Sequence, residues 1–257
     1  MNPYNIFSQT KLQCVNDGTI KPLLENCENA SKILVLVLPQ LGDFDSLEYA
    51  WWLQRENQKL VNKKITVRAV GIGNVTSGKK FCEYTGFLSE NLFVAENVEL
   101  HQKLNLYPGL KVSLPVLSRS QKAWLNLLLM CAGIGSPGTL KEVFRGYKGD
   151  KTAPQLFDDE EIIQGTPIPE FQGSFFKLAG GGGFQRPFEL ATLRLKNMVE
   201  VLTNWSIYVP NSAYITQRGG TFLFNSQGEL LYEHRDPGIL GFAANMSQPL
   251  SFLNSDN

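Results

Sequence analysis

The longest unbroken apolar run in the first half of the chain is Ile33-Leu34-Val35-Leu36-Val37-Leu38, which has no polar position on either side of a period-two pattern. Such a run predicts a strand buried on both faces. It is followed by Leu41-Gly42-Asp43-Phe44-Asp45-Ser46-Leu47-Glu48 and then by an amphipathic stretch containing Ala50, Trp51, Leu53 and Leu60, so residues 41–48 read as a strand-to-helix turn. Ile65 to Gly73 is β-rich and ends in glycines, which predicts a second, parallel strand. Thr76 to Tyr84 reads as a short helix stopped by Gly86, Leu92 to Ala95 as a third short strand, and Glu96 to Leu106 as a helix ending before Pro108. Near the C-terminus, Thr221–Asn225 and Glu229–His234 flank Ser226-Gln227-Gly228, a hairpin signal with glycine at the turn.

Alternating β and α units closed by a hairpin predict an α/β fold with a central mixed sheet and helices on both faces. The pattern changes between Tyr107 and Pro187, where Pro108, Pro115, Pro137, Pro154, Pro167, Pro169 and the run Gly180–Gly183 punctuate the chain. Residues 107–187 are therefore read as a large helical and loop insertion within one domain covering 1–257. Within it, Ala123–Cys131 predicts a buried helix, and Lys148–Glu170 a loop-rich stretch. From Phe188 to Trp205, Leu190, Leu193, Met198, Val201 and Leu202 recur at helical spacing, with Pro187 as a first-turn residue.

Composition narrows the function classes. Lys plus Arg and Asp plus Glu are both 24, so no global field attracts nucleic acid. Cys14, Cys27, Cys82 and Cys131 are widely spaced, without a CxxC and with only His101 and His234 to assist them, so neither a metal centre nor another cofactor is expected. The first residues lack the basic and apolar regions of a secretory signal, and no apolar run is long enough to span a bilayer. A cytoplasmic or equivalent soluble compartment is the expectation.

The register Gly42-Asp43-Phe44-Asp45-Ser46-Leu47-Glu48-Tyr49-Ala50 resembles the redox turn of the peroxiredoxin-like branch of the AhpC/TSA family, in the thioredoxin superfamily. Two further blocks carry the resemblance: Phe81–Phe87 with Ala95–Leu106 after it, and Gly219–Phe224 through Tyr232–Arg235. It implies a thioredoxin-like three-layer sandwich. On that match Asp43 stands where the attacking cysteine would be and Ser46 where its resolving partner would be, so both redox cysteines are replaced. The middle third is similar to long members found in oxygenic phototrophs, which implies a protein partner, a photosynthetic complex among the choices. Membrane association would then be peripheral and through that partner.

A thiol peroxidase needs a sulfur that becomes thiolate and passes through sulfenic acid; a carboxylate keeps the charge and loses the redox chemistry. Asp43 and Asp45 would satisfy the helix N-terminus, with Asp45 and Glu48 as a capping-box-like pair contributing about 1 kcal/mol. The resemblance also brings Arg218, before Gly219-Gly220, beside this turn as a companion. The expected function is a redox-inactive protein-binding or assembly module, with Tyr49, Trp51, Trp52 and Phe184 as candidate partner-binding residues. Two alternatives stand beside it: a thiol-dependent antioxidant or oxidoreductase using a remaining cysteine such as Cys82, and a small-ligand pocket lined by Arg218 and Asp43.

Other chemistry is weaker. Gly73-Asn74-Val75-Thr76-Ser77-Gly78-Lys79-Lys80 is a phosphate-loop pattern lacking its final Ser or Thr, and Gly133–Gly138 fits GxGxxG but reads as a loop between helices. His101 is read on a polar helix face and His234 in the hairpin, neither placed as a base for Ser46. Asp158 to Glu161 reads as a solvated acidic run.

Overall fold

The computed structural model describes residues 2–165 and 168–254. The double-sided apolar run becomes β3 (Lys32–Gln40), the centre of the molecule. Its alternate residues feed two cores. Leu34, Leu36 and Leu38 face one side with Leu47, Trp52, Phe81, Leu190 and Val201, while Ile33, Val35 and Val37 face the other with Phe7, Leu100, Phe222 and Phe224. A strand buried on both faces cannot alternate polar and apolar residues, which is why its sequence is so uniform.

Parallel to β3 lie β4 (Ile65–Ile72) and then β5 (Leu92–Ala95). On the opposite side β8 (Gly220–Asn225) pairs antiparallel, with Val35 opposite Phe222 and Val37 opposite Gly220, and β9 (Leu230–Arg235) forms the outer edge. The N-terminal segment adds α1 (Pro3–Gln9), β1 (Lys11–Cys14) and β2 (Ile20–Pro22). Among the described residues the main sheet thus runs β2-β1-β5-β4-β3-β8-β9. Helices α2 (Phe44–Arg55), α3 (Asn57–Asn62), α4 (Val75–Thr85), α8 (Glu189–Thr203) and α9 (Trp205–Tyr208) follow the first core, and α1 and α5 (Glu99–Lys103) the second. This three-layer α/β arrangement is the thioredoxin-like fold.

The phosphate-loop pattern is spent on structure. Asn74 and Ser77 cap α4 reciprocally, and Gly78 lies against Val15, where a Cβ would come within 2.4 Å of a methyl. The hairpin turn closes on Asn225, whose side chain accepts from the backbone of Gln227 and Glu229. Gly228 there has φ +79° and abuts the Tyr4 ring.

Several elements differ from their sequence reading. The helix expected over Glu96–Leu106 is confined to Glu99–Lys103, because Asn97 takes the Glu99 N–H before it and Asn105 turns left-handed after it. The helix containing Ala123–Cys131 is α6 (Arg119–Cys131), started by a Ser118–Gln121 capping box; it is not buried, since only Asn126 and Met130 are enclosed. Gly138 then leads into α7 (Thr139–Lys148), so Gly133–Gly138 is a loop between helices. The stretch read as loop-rich contains a hairpin, β6 (Ile162–Gly165) and β7 (Ile168–Gln172); Pro167 lies outside the described residues. Pro187 precedes α8 rather than opening it, and the left-handed Phe188 stands between them.

Phe222 marks the centre of the second core, with its ring 5.3 Å from that of Phe7 in an edge contact. Phe222→Ala is expected to lower the unfolding free energy by about 3–5 kcal/mol in urea denaturation.

Candidate functional site

The turn between β3 and α2 places Asp43 as the N-cap of α2. Its Oδ1 accepts the Asp45 N–H at 3.0 Å. The cap is therefore Asp43 and not Asp45 with Glu48, because Asp45 is already inside the helix and its carboxylate is drawn inward. Both Asp45 oxygens accept the Leu240 N–H, at 3.0 and 2.9 Å. Glu48, fully buried, receives Arg194 through Nε at 2.7 Å and Nη2 at 3.1 Å instead of reaching back to a cap.

Arg218 enters this cluster from the chain leading into β8. Its side chain has no solvent exposure. Nη2 donates to Asp43 Oδ2 and, at 3.3 Å, to the Ile215 carbonyl; Nη1 reaches Asp45 Oδ2 at 3.4 Å; Nε donates to the Thr216 carbonyl at 3.2 Å. Burial works against the guanidinium's charge, and Asp43 and Asp45 more than offset it, raising its pKa. Gly219 follows because backbone and acid close in together: a Cβ there would meet the Val37 carbonyl at 2.2 Å and Asp236 Oδ2 at 2.9 Å.

Asp236 completes the cluster, with Oδ2 accepting the Gly219 N–H at 2.9 Å and Oδ1 buried without a hydrogen bond among the described residues, 3.9 Å from His234 Nε2. Burial pushes its pKa up to about 7, against the pull of Arg218 and the Gly219 N–H. Asp45 is also held well above the usual carboxylate range, first by burial and then by the Asp43 charge. One guanidinium thus faces three acids, and two of them, Asp45 and Asp236, hold their protons more tightly than free carboxylates do.

The remaining sequence candidates divide. Ser46 is buried, and its hydroxyl donates to the Gln40 carbonyl at 3.0 Å, closing the turn. His101 does not lie on a polar face: it is buried, its Nε2 is 2.9 Å from the Leu38 carbonyl, and desolvation lowers its pKa to about 4. His234 Nε2 is 2.7 Å from the Gly241 carbonyl.

Tyr49 and Trp52 are packed inside rather than offered to a partner. Tyr49 stacks on Phe242 at 4.8 Å and bonds Thr221 at 3.0 Å. Trp51 is half-buried against Phe157 from the 107–187 segment, and Phe184 is half-buried. Asp159, in the acidic run, is tied to the buried Arg186 at 2.7 Å.

Sequence reasoning ranked Cys82 first among the thiols, yet Cys131 is the one brought to the turn. It lines a cavity of about 70 Å³ with Gln40, Gly42, Asp43, Leu127 and Trp205. Nothing local in the sequence announces this, since α6 reaches the turn only through tertiary packing. Desolvation and the Asp43 carboxylate raise the Cys131 pKa, while desolvation and then Glu90 push Cys82 up to about 12.

Two outcomes follow from the buried charges. Arg218→Met leaves Asp43 and Asp45 without their cation and is expected to cost about 3–5 kcal/mol in chemical denaturation at neutral pH. For Asp236, the folded protein binds a proton that the unfolded chain has released, so stability falls as pH rises from 3.8 to about 7. Asp236→Asn keeps the acceptor for Gly219 and is expected to flatten the stability profile across that window, measured by denaturation at a series of pH values.

The sequence profile described as AhpC/TSA antioxidant enzyme matches residues 52–238, almost three-quarters of the chain. The matched span begins after the Asp43–Ser46 turn and does not include it. No curated protein matches the chain. With the thioredoxin-like sheet and the profile in agreement, the chain belongs to the AhpC/TSA family.

Proposed function

We propose that this chain is a redox-inactive member of its family, a single thioredoxin-like domain with residues 107–187 inserted, that acts as a protein-binding or assembly module. One observation carries the reading: a carboxylate, Asp43, occupies the helix-capping position of the turn and is held there by the fully buried Arg218. A carboxylate at a helix N-terminus gains the same dipole stabilisation that would favour a thiolate. It forms no sulfenic acid and no disulfide. With Ser46 bonded into the turn, the second redox position has no sulfur either. The resemblance to long forms of oxygenic phototrophs supports a photosynthetic complex as the partner class. Trp51 and Phe184 keep part of their surface open and are the aromatic candidates left to meet it.

A thiol-dependent reading has one observation in its favour, the place of Cys131 on the cavity beside Asp43. The raised pKa values of Cys131 and Cys82 oppose it, because each thiol gives up its proton less readily than a free cysteine.

Peroxide consumption by the purified protein with a thiol reductant separates the two. The expected result is no turnover above reductant alone, unchanged in Cys82→Ala and Cys131→Ser. Turnover abolished by either substitution would assign the chemistry to that thiol and overturn the binding-module reading.

A further inference from the structure

Helix α7 is turned the wrong way round for a water-soluble surface. Its enclosed residues are Thr139, Glu142 and Gly146, whereas Leu140, Phe144 and Tyr147 are 48%, 57% and 51% exposed. Spacings of four and three place those three on one stripe. The inward orientation is fixed by charge. Glu142 accepts Arg145 Nε at 3.0 Å and meets Arg194 Nη2 at 3.4 Å, and Arg145 donates onward to the Met246 carbonyl at 2.9 Å.

The outer stripe is continuous with its surroundings. The Tyr147 ring meets Phe188, itself 53% exposed, edge-on at 6.3 Å. At the other end Leu140 adjoins Gly133, next to the exposed Ile134. Beneath Tyr147, an apolar hollow of about 260 Å³ opens between α7 and α8, walled by Val143, Leu195 and Met198.

The exposed charges on α7 have one sign. Lys141 and Lys148 are exposed, and among the described residues neither has an acidic partner; Lys148 Nζ sits 5.8 Å from the Phe144 ring centre. The helix's single acid, Glu142, is withdrawn into the interior.

We propose that the outer face of α7, with Phe188 and Ile134, docks directly on an anionic lipid surface. An apolar stripe carrying aromatic rings, with two lysines seven residues apart along one flank, is the composition of a helix lying in a membrane interface, where the rings enter the headgroup region and the lysines meet acidic headgroups. The contact is peripheral, since no helix among the described residues is long and apolar enough to cross a membrane. It is also direct, where the sequence pointed to contact through a partner.

The test is co-sedimentation of the full chain with phosphatidylcholine vesicles, alone or with an equal part of phosphatidylglycerol. Retention is expected on the anionic vesicles only, weakening as salt is raised. Lys141→Gln with Lys148→Gln is expected to lower the partition coefficient roughly thirtyfold. Phe144→Ser with Tyr147→Ser is expected to abolish retention while leaving the thermal unfolding midpoint in place. No retention of the parent chain, or retention undiminished in both double variants, overturns the proposal; a face reserved for a protein partner gives the first of these results.

Discussion

A guanidinium with no access to water has to be neutralised where it stands, and in this protein that requirement organises the turn. Arg218 ties its own segment, through the carbonyls of residues 215 and 216, to a stretch distant in sequence, the N-cap and first turn of α2, through Asp43 and Asp45. Asp45 in turn holds the Leu240 N–H, so the segment after β9 is fixed to the same point. Removing a charge of either sign from such a cluster leaves the others in a low dielectric, which is why buried pairs enforce an arrangement more than they add stability. Burial first, and the neighbouring acids after it, raise the pKa values of Asp45 and Asp236 within the cluster.

The place of this cluster bears on what the fold does. A strand-to-helix junction offers unpaired N–H groups and the positive end of a helix, an environment that stabilises an anion of any chemistry. Asp43 answers it with its own carboxylate, which is held in place by Arg218. Access is limited in the same way: Ser46 is sealed into the turn, and the cavity beside Asp43 is about 70 Å³, room for little beyond a few water molecules. The turn is thus filled largely by its own side chains.

Much of the sheet is readable from sequence because its signals are local. The run Ile33–Leu38, the β-rich Ile65–Ile72 and the Gly228 hairpin each state their element without help from distant residues. Where the reading fails, the deciding partner lies elsewhere in the chain. His101 falls at a position that looks polar but is enclosed, because its ring nitrogen meets the carbonyl of Leu38. Asp45 fits a cap pattern with Glu48, yet Leu240 and Arg194 claim the two carboxylates. Ala123–Cys131 is apolar enough for a core helix and lies instead along the surface, with Leu128 63% exposed. The N-terminal α1, β1 and β2 are short, and their sequences carry no strong period.

The same rule that fixes the turn also governs the outer helix layer. Glu48 lies on α2, three residues beyond Asp45, and receives Arg194 from α8; Arg194 reaches Glu142 on α7, and Glu142 pairs with Arg145. The polar chain runs from the turn between β3 and α2 outward, and each acid in it is met by an arginine. If α7 rotated to bury Phe144 and Tyr147, Glu142 and Arg145 would swing into water and Arg194 would lose one of its acids. Burying two aromatic rings is worth several kcal/mol, so the ionic arrangement must offset that gain for α7 to stay inside out. Apolar exposure on this face is therefore a consequence of how the interior charges are matched, and the surface that results is apolar with a positive rim.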